Sequence, residues 1–267
     1  MTKEELFRAI EERERAGEFD VRVVPTPENK IKKVKAGHKF IRRGPLNFLS
    51  CSFWRGLVIT AGYVINFFGF GLKIKGRKNL KGLKSAIILS NHVHDLDNCM
   101  IRQAVAGHKL YITAGEFNNR KGWFGHALRS GGLLPFSADI HAMHNLGVAI
   151  DFYLKKNCYV LFYPEEALWH RYQKPRPHKK GAYHYAVKSG VPVVPAFIEW
   201  GRGKNPKKAT VHIMQPIYPD DALERKARIK KMKDAAYGAY VAKYEEVYGK
   251  KLEYSNGSRP ENFLENK

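Results

Sequence analysis

Ile87-Ile88-Leu89-Ser90-Asn91-His92-Val93-His94-Asp95-Leu96-Asp97 decides the architecture of this chain: an apolar run of strand length stops in a dense polar cluster. Four residues separate His92 from Asp97, which fits a strand that turns into a helix with Asp97 in its first turn. Imidazole has the side-chain pKa nearest neutrality, so His92 can accept a proton from a hydroxyl and return it to a leaving group. Asp97 is placed to orient that ring and stabilise its cation. A polar loop without chemistry is the other reading of the same residues.

Outward from this stretch, short apolar runs recur at 86–89, 110–113, 133–136, 159–163 and 193–198, and helical patterns over 98–106, 121–129, 140–156 and 181–189 separate them. That alternation predicts an α/β fold, a layered mixed sheet with parallel pairs flanked by helices. The run 209–214 is expected as an edge strand. Between 220 and 250 a charged helix or helix pair carries Leu223, Ile229, Met232, Ala236 and Tyr240 at helical intervals and is expected to cover the sheet.

Amphipathic and apolar helices are expected ahead of this core. Thr2-Lys3-Glu4-Glu5 is a capping-box pattern rather than a secretory signal, and it opens a charged helix that Gly17 ends. Residues 18–39 are polar, basic and proline-containing, a linker with one short strand expected at 21–24. From 46 to 72 the only formal charge is Arg55. A spanning helix needs about 20 apolar residues, and this stretch is interrupted by glycines and by Asn66, which predicts an interfacial or partly inserted helix pair. Phe53, Trp54, Tyr63, Phe67, Phe68 and Phe70 suit a headgroup boundary, with Arg42 and Arg43 on the flank. A buried core helix is the alternative. The expected domains are therefore 1–45, an N-terminal helix and linker; 46–72, membrane-associating; 73–250, catalytic; and 251–267, a polar tail expected to be disordered.

Lys and Arg outnumber Asp and Glu by 47 to 25 in 267 residues, a formal charge of +22 that favours anionic partners: phospholipid headgroups, acyl carrier protein or nucleic acid. Lys73, Lys75, Arg77, Lys78, Lys81 and Lys84 adjoin the apolar stretch, a pairing suited to a membrane carrying anionic lipid. The three cysteines are widely spaced and show no metal-binding pattern, which argues against a disulfide framework and for a site facing a reducing cytosol.

Asn91-His92 with Asp97 resembles the first motif of the glycerolipid acyltransferases. Three later blocks follow in the family's order: Gly131-Gly132-Leu133-Leu134-Pro135-Phe136, Phe162-Tyr163-Pro164-Glu165, and Val191-Pro192-Val193-Val194-Pro195. The resemblance covers about residues 72–215. It implies transfer of an acyl group from a thioester, carried by acyl carrier protein or coenzyme A, to the hydroxyl of a lysophospholipid, with 1-acylglycerol-3-phosphate the leading acceptor. It further implies that Glu165 contacts the acceptor's glycerol portion. No metal or bound cofactor is required, no nucleic-acid partner is expected, and the implied place of work is the cytoplasmic face of a membrane.

Two departures bear on the acceptor. The second block usually ends in an arginine for the acceptor phosphate, yet Ser137-Ala138-Asp139 follows Phe136 here. The third block usually continues with glycine and threonine, but this chain has Glu166-Ala167-Leu168-Trp169. Arg171, Lys174, Arg176, Lys179 and Lys180 then form a proline-stiffened basic loop ahead of a helix start, and Arg171 and Arg176 are the candidates for holding a phosphate. Asn91 or backbone amides are the candidate oxyanion donors. No serine or cysteine sits in a nucleophile-elbow pattern, so direct displacement is expected. Competing readings are a metal-dependent hydrolase built on His92 and His94, or a non-enzymatic basic protein that binds membrane or nucleic acid.

Overall fold

β2 (Ala86–Ser90) is buried at every residue and lies between β5 (Tyr159–Phe162) and β6 (Val193–Trp200), parallel to both. Its side chains alternate between the two cores, as a period of two requires. Ala86 and Ile88 pack with Met100, Ile101 and Ala104 of α3 (Asp97–Ala104). Ile87 and Leu89 pack on the opposite face, in the core that holds α5 (Ile140–Lys155), α6 (Gly181–Ser189) and α7 (Arg225–Tyr248). A strand covered on both sides has no polar face, which explains the unbroken apolar run.

The computed structural model describes residues 2–24, 31–201 and 206–264. It contains a seven-stranded sheet in the order β1-β7-β6-β2-β5-β3-β4, where β1 is Lys73–Lys75, β3 Leu110–Ala114, β4 Leu133–Pro135 and β7 Ala209–Ile213. All neighbours are parallel except β6 and β7. The mixed sheet flanked by helices matches the fold expected from the sequence. The run at 209–214 is not the edge, however, because β1 pairs outside it: Lys73, Ile74 and Lys75 add a short strand that their charge had hidden.

α1 (Lys3–Ala16) is capped as its sequence demands, with Thr2 and Glu5 exchanging bonds and Gly17 closing the helix at φ 72°. The expected strand at 21–24 is absent, and residues 25–30 of that linker lie outside the described residues. Its backbone carbonyls instead accept from the core: Trp169 Nε1 donates to Val21 O at 2.9 Å and Arg176 Nη1 to Phe19 O at 2.9 Å. The polar tail likewise packs, with Tyr254 buried against Tyr237 and Phe19 and a short helix, α8 (Glu261–Leu264), beyond it.

In place of a helix pair, one helix, α2 (Pro45–Val64), continues into a π-helical turn, Ile65–Gly69. Together they are long and apolar enough to cross a membrane, yet little of this helix is buried, and Phe68 is 81% exposed. α2 lies over α3 and α4 (Gly122–Ser130). Asn66 does not interrupt an inserted segment but clamps the turn to α3, its Nδ2 donating to Cys99 O at 3.1 Å and Gln103 Oε1 at 2.7 Å.

Candidate active site

His92 leaves the end of β2 where the parallel strands deliver their C-terminal ends, the edge at which α/β sheets place ligands. Asp97 is the first residue of α3, and its Oδ2 accepts three N–H groups: His92 Nδ1 at 3.0 Å, Val93 N at 2.8 Å and His94 N at 3.0 Å. A carboxylate oxygen can only accept here, so the proton of the imidazole sits on Nδ1 and Nε2 carries the free lone pair. The Asp97 side chain is 1% exposed and that of His92 20%. The His92 imidazole is thus open to solvent, and the Asp97 carboxylate bonded to it is closed off.

Tyr163 stacks on the His92 ring, centroids 4.0 Å apart and planes at 21°. Burial pushes the Tyr163 phenol well above its ordinary pKa and the negative charge of Asp97 adds to that, so it stays neutral. Behind the loop, Glu165 accepts the His92 backbone N–H through Oε2 at 3.3 Å and the Arg176 backbone N–H through Oε1 at 3.0 Å. Arg176 Nη2 donates to Glu165 Oε2 at 2.8 Å and also reaches the Ala167 carbonyl. Trp169 N donates to His92 O at 3.1 Å and Arg171 N to Val93 O at 2.8 Å, so the loop after β5 is laced to the His92 loop.

The Acyltransferase family model matches residues 71–199, the span that contains every one of these groups. Residues 71–199 are an Acyltransferase-family domain. The chain is 28% identical over 181 residues to a curated "1-acyl-sn-glycerol-3-phosphate acyltransferase" of Limnanthes douglasii, covering 61% of this chain but only 60% of that protein. The crystal structure of the 1-acyl-sn-glycerophosphate (LPA) acyltransferase PlsC from Thermotoga maritima shares the fold, with a TM-score of 0.56 and 19% identity over 80% of this chain and 87% of that one.

Within the acyltransferase domain, His92 and Asp97 meet as their spacing suggested, while three other expected substrate contacts are placed differently. Glu165 and Arg176 are closed off from solvent and bonded to each other, so they brace the His92 loop and neither is open to an acceptor or its phosphate in this structure. Asn91 is 2% exposed, and its amide pairs with β6, donating to Ile198 O at 3.0 Å and accepting from Ile198 N at 2.8 Å. It continues the β2–β6 ladder by one side-chain rung and is not open to substrate. The Ala167-Leu168-Trp169 departure has a packing reason: Trp169 is fully buried, with the Arg176 guanidinium 4.7 Å from its ring.

Arg171 is the expected phosphate contact that stays accessible. It is half-buried, its guanidinium 3.7 Å from the Trp200 ring, and its backbone takes the left-handed conformation at φ 60°. A non-glycine residue there costs about 1–3 kcal/mol and persists only where neighbours enforce it. His94 turns away from the dyad, its Nδ1 accepting from Leu96 N at 3.1 Å and its ring among Phe70, Trp200 and His170. Among the described residues, no group of three His, Cys, Asp or Glu side chains is placed to hold a metal ion.

Sequence reasoning missed Tyr163 and Arg22. Tyr163 was detectable as the residue following a strand that ends level with β2. Arg22 comes from the N-terminal linker and stacks 3.6 Å from the Phe117 ring, and burial, then Arg120, pushes its pKa down while Asp95 opposes the shift. Nothing in its local sequence marks it.

Proposed function

We propose that this chain transfers a fatty acyl group from a thioester to the free hydroxyl of a lysophospholipid, with 1-acylglycerol-3-phosphate the leading acceptor. The observation that carries this reading is the His92–Asp97 pair at 3.0 Å, solvent-open on its Nε2 side, within a domain of this family. Nε2 removes the acceptor hydroxyl proton as the oxygen attacks the thioester carbonyl carbon, and the imidazolium forms against Asp97. Collapse of the tetrahedral intermediate breaks the C–S bond, and the departing sulfur takes the proton back from Nε2. Neither an acyl-enzyme nor a bound cofactor is invoked; acyl carrier protein or coenzyme A enters with the donor.

Arg171 is the favoured phosphate contact, fixed by its stacking on Trp200 and its backbone bond to the His92 loop. The exposed aromatic face of α2 supports work at a membrane surface, and the π-helical end of that helix leads to Phe70, which touches His94 at a centroid distance of 5.2 Å. In this reading the lipid acceptor enters from the bilayer and the soluble donor from the cytosolic side. The test is incubation of the purified chain and His92→Ala with acyl carrier protein and coenzyme A thioesters and a panel of lysolipids, following diacyl product by mass spectrometry. Product that depends on His92 is expected; absence of product from folded wild-type chain with every donor and acceptor overturns the proposal.

A further inference from the structure

A cavity of about 290 Å³ opens between the start of α2 and the N-terminal ends of β3 and β4. Arg42, Arg43, Arg55, Lys109 and Arg129 line it, and no acidic side chain does. Among the described residues, none of these five cations is in an ion pair. Neutral acceptors hold three of them in place: Arg42 donates to Ser130 Oγ at 2.8 Å, Arg55 to Leu110 O at 2.9 Å and Arg129 to Asn119 Oδ1 at 2.8 Å. These three guanidiniums are therefore fixed while their charge is uncompensated. The neighbourhood registers that charge: burial, then Arg129, Lys32 and Arg42, pushes His38 down to about 4.

Two further features point to what fits. α2 begins at the cavity with no capping side chain and no acidic residue in its first turn, so the positive end of its dipole is also unanswered. Immediately beside it, Leu46, Phe48 and Leu49 project into solvent, Leu46 at 81% exposure. A fixed cluster of guanidiniums next to exposed aliphatic and aromatic side chains matches a phosphate with acyl chains attached better than a free phosphate, which needs no apolar neighbour.

This cavity is not the catalytic site. Leu110 and Ala86 are both level with Tyr159, and His92 lies six residues beyond Ala86, about 20 Å further along the strand direction. We propose that the cavity binds the phosphate headgroup of an anionic bilayer phospholipid that is not the substrate. It would seat the start of α2 on the membrane while the opposite end of the same helix brings the catalytic edge to the surface. The inference rests on the membrane reading above and adds a specific lipid class and place to it.

The test is sedimentation of the full chain with vesicles of phosphatidylcholine alone or containing phosphatidylglycerol. Wild type is expected to prefer the anionic vesicles, and Arg42→Gln/Arg43→Gln to bind them roughly 25-fold more weakly, as loss of two interfacial cations predicts. Cys51→Trp fills the cavity without changing charge, and is expected to lose the preference for phosphatidylglycerol while binding phosphatidylcholine vesicles as wild type does. Full retention of the preference in Cys51→Trp would assign it to diffuse surface charge and overturn the site. Equal binding of wild type to both vesicles overturns the site and leaves the membrane reading standing; binding to neither overturns both. Binding of soluble glycerol phosphate without any preference for anionic vesicles would make the ligand a free phosphate ester and overturn the lipid assignment. Maleimide labelling of Cys51 in wild type, located by peptide mass spectrometry, needs no variant to fold. It should slow several-fold on saturating phosphatidylglycerol vesicles relative to phosphatidylcholine ones, and equal rates overturn the site.

Discussion

Arg176 Nη2 donates to Glu165 Oε2 at 2.8 Å with the two side chains 0% and 1% exposed. The same carboxylate oxygen accepts the backbone N–H of His92 at 3.3 Å. A buried ion pair thus lies one backbone hydrogen bond behind His92, the proposed base, and the third sequence block acts on the first through it. The pair stiffens a loop that β2 delivers but cannot itself hold, because the ladder of β2 with β5 ends at Leu89.

Removing one member of such a pair leaves the other charged and unsolvated. Arg176→Ala is expected to lower unfolding stability by about 3–5 kcal/mol, and urea unfolding with an unchanged slope checks it. Arg171→Ala, whose guanidinium lies over Trp200 rather than in the core, should cost about 1 kcal/mol.

His92→Ala is expected to lower turnover by about 10²–10⁴-fold through loss of general-base catalysis, while the lost stack on Tyr163 costs no more than about 1.5 kcal/mol of stability. Thiol release from the acyl donor reads the first and thermal unfolding the second. Asp97→Asn should lose at least about 10²-fold, since the amide can still accept the Val93 and His94 N–H groups but cannot stabilise the imidazolium.

For Arg171→Ala, steady-state kinetics with a phosphate-bearing acceptor should show a Michaelis constant raised about tenfold with turnover nearly unchanged, the pattern of a contact made equally in ground and transition states. A lysolipid acceptor without a free phosphomonoester should show no such rise. Unchanged constants for both would move the phosphate contact elsewhere.

Burial, with Lys233 and Arg176 nearby, pushes His178 down to about 3. Its Nδ1 lies 2.6 Å from Tyr183 Oη, a hydrogen bond that the neutral ring shares with the phenol. A depressed histidine binds its proton more readily in the unfolded chain, so its contribution is fully present above the unfolded value of about 6.5 and declines by about 1.4 kcal/mol per pH unit below it, until the folded value is reached. Melting temperature measured across that window should fall less steeply for His178→Gln than for wild type.

How much of this was legible depends on the range over which each feature is encoded. The unbroken apolar run ending in Asn91-His92, the Thr2 capping box and the apolar face of α2 are local, and a local reading finds them. β1 escaped because a short edge strand needs only a backbone partner, which β7 supplies from more than a hundred residues away. Asn66 looked like an interruption of an apolar segment, but its partners Cys99 and Gln103 lie on another helix.

The sequence by itself determined the alternating α/β pattern, the His92 and Asp97 spacing that lets a strand end meet a helix start, and the order of the four blocks. Only the tertiary structure decided what each block's charges do. Glu165, Arg171 and Arg176 are equally polar in the sequence, and solvent access separates them: Trp169 and the carbonyl of Phe19 enclose Arg176 with Glu165, while Arg171 is left against Trp200 at the open edge. Whether a charge binds a ligand or holds a loop is set by what desolvates it, and here the groups that do so come from Phe19 to Trp200 along the chain.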